Sequence, residues 1–383
     1  MSRLAELKPH PFAVPEDVLD HLLTPALVIH MDKVRENLSR MRAYLDGQLL
    51  RWRPHLKTAK IPEVYTELVR LGVRQFKVAT TREAQVMLEV LRSENVPGPD
   101  LMVAYPLVGP ALRRLGDLAQ LYPTVSVSAL CEEPEVLAQF SSLLGVFVDV
   151  NPGMNRTGVP IEDESRILAI ARSAGSRFRG IHCYEGHIHG GDAAFRRERC
   201  FEVYARATRL VHRLEFSGVR VGEIVTSGTP GFLHALAFEP WHRLPGTLHR
   251  VSPGTVVFHD FRSATEIEEL DLVPAAVLAT RIISRPAPGL VTCDAGSKSI
   301  SAEQPEPCAF VLGHPDWTVQ TPSEEHLPIR VPVDAEVRLG EVHYLVPYHV
   351  CPTVNLAEQA LLLDHGSVTS RVSVSARAHE LWV

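Results

Sequence analysis

From about residue 50 to residue 260 the chain alternates short extended apolar runs with amphipathic helical stretches. The runs are RWRPHLK (51–57), QFKVAT (75–80), DLMVAYP (100–106), TVSVSAL (124–130), GVFVDVN (145–151), FRGIHCYEGH (178–187), EIVTSG (223–228) and RVSPGTVVF (250–258). Between them lie segments such as PEVYTELVRLG and ESRILAIARSA, whose apolar residues recur at helical spacing. Parallel strands need long crossovers, and a helix is the usual one. Eight strands with helices between them predict a parallel (β/α)8 TIM-like barrel, with a doubly wound open sheet as the rival. The longest helical stretch, from Asp192, runs to Gly218 as its C-terminal cap.

Before this block, TPALVIHMDKVRENLSRMRAYLDG predicts a strand and then a helix capped by Asp32. After it the texture changes to short β-rich pieces separated by Pro, Gly and Asp, the pattern of an antiparallel β domain. The expected organisation is an N-terminal segment (1–48) contributing to the β domain, a barrel (49–259) and a C-terminal β domain (260–383). With 45% hydrophobic residues, 383 residues supply enough core for two domains. A net charge of −6 without a basic block argues against nucleic acid as a partner. No apolar run is long enough to span a bilayer, and the N-terminus lacks a signal-peptide core. Six scattered cysteines without a CxxC pair suit reduced thiols in a cytoplasmic protein.

Several segments could carry chemistry. Lys57 ends the first run, where barrels place active sites, and desolvation there favours the neutral amine needed for Schiff-base chemistry. The bland alternative is a strand-end lysine reaching into water. In VTSGTPGF, Thr226, Ser227 and Thr229 offer hydroxyls around Gly228, in a turn suited to phosphate. A second glycine turn, with Gly254 and Thr255, follows the last run, and barrels often build phosphate sites from their last two loops. In HCYEGHIHG, Tyr184, Glu185, His187 and His189 share one strand end; the two histidines would face one side as a metal pair, as substrate or cofactor contacts, or as a polar rim. His349 and Cys351 would share one face of a strand or extended loop, an imidazole–thiolate pair suited to zinc. Arg156, in FVDVNPGMNRTGV, could hold a phosphate, a carboxylate or a ring nitrogen.

In order, RPHLKTAK, VAYPLVG, FVDVNPGMNRTG, HCYEGHIHG, TSGTPG, PGTVVFHD, DAGSKSIS, SEEH and PYHVCPTVNL resemble the D-threonine aldolase / D-serine dehydratase family, alanine racemase-like fold-type III pyridoxal phosphate enzymes. The resemblance implies an α/β barrel followed by a β domain, with the TPALVIH strand packed in the latter. It makes Lys57 the Schiff-base lysine and Tyr184 the tyrosine beside the cofactor ring. It gives Thr226, Gly228, Thr229, Gly254 and Thr255 to the cofactor phosphate; Ser227, in the same turn, and Arg156 are further candidate cofactor contacts. His349 and Cys351 become ligands of Zn2+ or another divalent metal. His-x-Cys is the dehydratase version of that pair and His-x-Asp the usual aldolase one. The implied function is therefore a pyridoxal phosphate- and zinc-dependent dehydratase of a D-3-hydroxy amino acid such as D-serine, giving an oxo acid and ammonia. The alternatives are aldol cleavage to glycine and an aldehyde, an amino-acid racemase, and a non-catalytic pyridoxal phosphate carrier. The resemblance also implies a homodimer. Two positions depart from the family: Ala59 where it often has histidine, and Val256 where it often has tyrosine.

Overall fold

The computed structural model describes residues 3–244, 246–303 and 306–382. The chain forms two compact units, one of Arg42–Lys57, Tyr65–Gly254 and Ala378–Val383, the other of Met1–Met41, Thr58–Val64 and Thr255–Arg377.

The first of these is built on a parallel sheet. Strands Gln75–Val78, Asp100–Pro106, Ser126–Cys131, Gly145–Asn151, Phe178–Cys183, Glu223–Thr226 and Leu248–Val251 pair in that order. They are buried along most of their length because helices cover one face and packed side chains the other. Met102, Leu130, Phe147 and Val225, each from a different strand, form an interior cluster. The first expected strand is irregular. After a 3-10 turn at Leu49–Arg51, Trp52 bridges Val251 and His55 bridges Lys77, both parallel. The amide of Arg53 donates to Val251 O (2.9 Å), and Pro54 O accepts from the Lys77 amide (2.9 Å). This segment is the eighth stave and joins the two edges of the sheet. Pro54 has no N–H to give, so a regular ladder cannot run through it.

Local chemistry sets the helix ends. Thr80 Oγ1 accepts from the Glu83 amide (3.0 Å) while Glu83 Oε2 accepts from the Ala79 amide (2.7 Å), a reciprocal N-terminal cap for Thr81–Ser93. Asp192 caps the helix Ala193–Phe216, which ends before Gly218 at φ +78°.

The other unit is mainly antiparallel. Strand Ala26–His30 lies between Ala276–Ala287, antiparallel, and Gln359–Asp364, parallel. Val342–Pro347 and Leu290–Cys293 also pair with Ala276–Ala287. One core gathers Val28, Val277, Val346 and Leu363, and another gathers Ile282, Val291, Leu327 and Ile329. Asp32 does not cap the following helix: Met31–Tyr44 begins directly after the strand, with Asp32 inside its first turn and bonded to Lys33 (3.2 Å).

Candidate active site

The paired part of the first stave ends at Leu56, whose amide donates to Lys77 O (2.7 Å). Lys57 therefore falls in the following turn and is exposed, against the expectation that it is desolvated. Lys77, in contrast, is buried. Its strand register sets it beside Met102, whose side chain belongs to the interior cluster. Burial, then the charge of Lys57, lowers the Lys77 pKa to about 7, against the pull of Glu185. Lysine in QFKVAT gave no sign of this in sequence, because which face of a strand is interior depends on its register.

The Tyr184 ring stands among these groups. Arg156 lies over it at 5.4 Å from the ring centroid and Lys77 at 6.0 Å. The turn that carries Arg156 is held by Asn151, whose Oδ1 accepts from the amides of Gly153 (2.9 Å) and Asn155 (3.0 Å). A Cβ at Gly186 would stand 2.3 Å from the Tyr184 ring, so that loop needs glycine or a moved ring, and one at Gly228 would stand 3.2 Å from it, a tight contact. Two buried polar groupings lie on the neighbouring strand ends; of their members the sequence singled out Glu185 but not the His182–Asp149 pair. His182 Nδ1 is 2.8 Å from Asp149 Oδ1, and Thr157 donates to Asp149 Oδ2 (2.8 Å). Burial pushes the His182 pKa down despite the Asp149 hydrogen bond. Glu185 accepts from the Tyr204 hydroxyl (2.7 Å) and the Ser227 amide (3.1 Å), and burial raises its pKa.

The turn after Glu223–Thr226 holds Ser227 at φ +58°, a left-handed conformation uncommon outside glycine. Thr226 Oγ1 is engaged with His249 Nε2 at 2.8 Å. The buried hydroxyls of Ser227 and Thr229 have no hydrogen-bond partner among the described residues. The expected strand at 250–258 stops at Val251 and becomes a 3-10 turn over Thr255–Val257. A Cβ on Gly254 would stand 2.2 Å from His55 O, so only glycine permits that approach.

His349 and Cys351 do not lie on a strand. His349 is the extended residue that precedes the helix Val350–Leu356, and Cys351 is in its first turn. Asp260 Oδ2 accepts from the Val350 amide (3.2 Å) and anchors the segment. Cys351 Sγ is 3.2 Å from the hydroxyl of Thr58, the residue after Lys57, and 3.8 Å from that of Thr255, the residue after Gly254. Glu303 holds His349 Nδ1. Burial opposes the imidazolium, but Cys351 and Glu303 outweigh it and raise the His349 pKa to about 9. Among the described residues no group of three or more His, Cys, Asp or Glu side chains is arranged to hold a metal. His187 and His189, expected to share a strand face, sit exposed on a loop, since the strand ends at Cys183.

The family described as alanine racemase, N-terminal domain, matches residues 29–260, and a putative serine dehydratase domain matches 275–363. A D-threonine aldolase of Arthrobacter sp is 31% identical over 379 residues, 96% of each chain. The chain belongs to the D-threonine aldolase / D-serine dehydratase family of alanine racemase-like enzymes. It is a pyridoxal phosphate-dependent lyase, and its barrel-plus-β-domain architecture is that of the family. A D-threo-3-hydroxyaspartate dehydratase of Delftia sp. (strain HT23) is 28% identical over 310 residues, 76% of this chain and 75% of the relative. The crystal structure of D-threonine aldolase from Filomicrobium marinum superposes with a TM-score of 0.81 at 23% identity, covering 93% of this chain and 96% of that one.

The family's cofactor fits the residues present. Two buried hydroxyls, on Ser227 and Thr229, have no hydrogen-bond partner among the described residues and suit phosphate oxygens. The closely approached glycines 228 and 254 keep side chains out of the same two turns. The imidazole–thiol pair suits a borderline-soft metal, and Glu303 on Nδ1 supports the ring in the way carboxylates support metal-bound histidines.

Proposed function

We propose that this enzyme is a pyridoxal phosphate- and zinc-dependent dehydratase that converts a D-3-hydroxy amino acid such as D-serine to an oxo acid and ammonia. The observation that carries this branch is the His349–Cys351 pair held by Glu303 and Thr58. Solved structures of a D-threo-3-hydroxyaspartate dehydratase include a histidine-to-alanine variant and a cysteine-to-alanine variant in metal-free form, which supports a metal on such a pair. When bound, the cofactor supplies an electron sink for the bond broken at Cα, and the metal a Lewis acid for the β-hydroxyl.

The chain's own residues do the rest. Lys57 would hold the cofactor through Nζ, and its free amine would serve as the base for the α-proton. Ser227 and Thr229 donate to the phosphate, with Gly228, Gly254 and Thr255 shaping its turns. Tyr184 and Arg156 bound the cofactor ring. His349 and Cys351 ligate the metal, and Glu303 fixes the tautomer that leaves Nε2 as ligand. In this reading residues 49–259 are the cofactor-binding barrel, 260–383 with 1–48 the β domain, and the enzyme works as a homodimer. Aldol cleavage of a D-3-hydroxy amino acid is the second reading, favoured by the 31% identity to a D-threonine aldolase.

A product assay decides. The protein, given pyridoxal phosphate and zinc, is offered D-serine, D-threonine and both D-3-hydroxyaspartate diastereomers. Ammonia with an oxo acid is the expected result. Glycine with an aldehyde-type product replaces the dehydratase by the aldolase. Borohydride trapping followed by peptide mapping is expected to find the cofactor on Lys57 and to find none in Lys57→Ala.

A further inference from the structure

Lys77 presents a polar group that neither the fold nor the assignments above use. The residue is 3% exposed, yet among the described residues Nζ makes no hydrogen bond and no ion pair; its close contact is the Tyr184 ring. Lysine is almost never buried unpaired. Arg53, on the neighbouring stave, shows what a satisfied buried cation looks like here, with Glu223, Asp100 and Phe76 O all accepting from it.

The groups facing Lys77 do not complete it. The first stave offers Lys57 and Arg53, both cations. Asp149, on the Gly145–Asn151 strand, is already taken by His182 and Thr157. Glu185, after the Phe178–Cys183 strand, is taken by Tyr204 and the Ser227 amide. His182 and Arg156 add no acceptor that is both free and anionic. None of the described residues is therefore left to pair with Nζ, and a cation there is matched best by an oxygen carrying negative charge from a bound molecule.

We propose that Lys77 is a ligand-binding amine of the barrel, donating from Nζ to an anionic oxygen of the bound small molecule. Two sources share that chemistry: the ring oxygen of the cofactor and the carboxylate of the amino-acid substrate. The inference rests on the reading that this barrel binds pyridoxal phosphate. It predicts that an anion arriving at Nζ draws a proton onto an amine that is only part-protonated near neutrality.

The test compares the wild-type chain with Lys77→Met and Lys77→Arg. Pyridoxine 5′-phosphate, which has the ring oxygen and phosphate but no aldehyde, is titrated calorimetrically into the apoprotein at about pH 8, in buffers of differing ionisation enthalpy. If the cofactor oxygen is the partner, Lys77→Met binds about tenfold or more weakly and loses the proton uptake of the wild type, while Lys77→Arg keeps most of the affinity. If the substrate carboxylate is the partner, probe binding is unchanged and the holoenzyme's KM rises about tenfold with little change in kcat. The apoprotein of Lys77→Met is expected to melt no lower than wild type, because an unpaired buried amine has been replaced by an apolar chain of similar length. Unchanged probe affinity, proton uptake and KM overturn the proposal, as does a lower melting point with unchanged binding. Borohydride trapping on Lys57 in the same proteins reloaded with pyridoxal phosphate separates the two readings: trapping retained with unchanged binding removes Lys77 alone, whereas no trapping in wild type removes both.

Discussion

At the scale of single residues, the phosphate turn separates what a sequence motif says from what its atoms can do. TSGT presents three hydroxyls, and in the folded chain Thr226 is committed to His249 while Ser227 and Thr229 remain unpaired. Removing an unpaired hydroxyl leaves nothing else unsatisfied, so its effect should show in binding and not in stability. Ser227→Ala and Thr229→Val are each expected to weaken pyridoxal phosphate binding by about tenfold, read by absorbance titration, with the apoprotein melting point unchanged. Gly254→Ala is different. Its Cβ meets the carbonyl of His55, a backbone atom that cannot swing aside. The expected loss is about 1–3 kcal/mol of stability, measured by urea unfolding, together with lost cofactor binding.

At the scale of elements, the first stave joins the sheet through only two bridges, so side chains must fasten it. Arg53 does this from a fully buried position. Its guanidinium pairs with both oxygens of Glu223 (2.8 and 2.9 Å) and with Asp100 (2.7 Å), and Arg250 also holds Glu223. Burial works against the charged form of Arg53, but the two carboxylates more than compensate and hold it protonated. Arg53→Met leaves Glu223 and Asp100 with Arg250 as their remaining strong cation. The expected loss is about 3–5 kcal/mol in chemical denaturation, larger than for an exposed arginine such as Arg199, whose pair with Glu202 contributes little. RWRPHLK was legible as a stave because its position in the alternation required one. That it would be irregular followed from Pro54, but the carboxylates that secure it come from distant strands.

At the scale of the whole molecule, two buried imidazoles set an acid limit on stability. His30 and His343 have pKa values lowered to about 4. Burial is the main cause for both; Lys33 adds to it at His30, and at His343 Glu341 opposes it. In the unfolded chain each takes a proton near pH 6.5, while in the folded chain each stays neutral. The unfolded state thus binds more protons as pH falls, and folding stability drops across the window from 6.5 towards 4. Between pH 6.5 and 5 the loss is roughly 2 kcal/mol for each group. Urea midpoints measured across that window are expected to fall, and less steeply in a His343→Gln variant. A flat profile would show that these imidazoles are hydrated and protonated in the native protein.

The alternation of strands and helices, the change of texture after residue 260 and the ordered motifs were determined by sequence alone, because backbone periodicity and turn chemistry are local. Lys57, Tyr184, the TSGT turn and the His-x-Cys pair could be proposed from sequence for the same reason: each is a short contiguous pattern. What only the tertiary structure decided was which side chains lose water and which polar groups find partners. Those depend on strand register and on neighbours far apart in the chain. Hence Lys57 is exposed and Lys77 desolvated, Thr226 is spent on His249, His187 and His189 sit in solvent, and His349 is extended but Cys351 lies in the first turn of a helix where a strand or extended loop was expected for both.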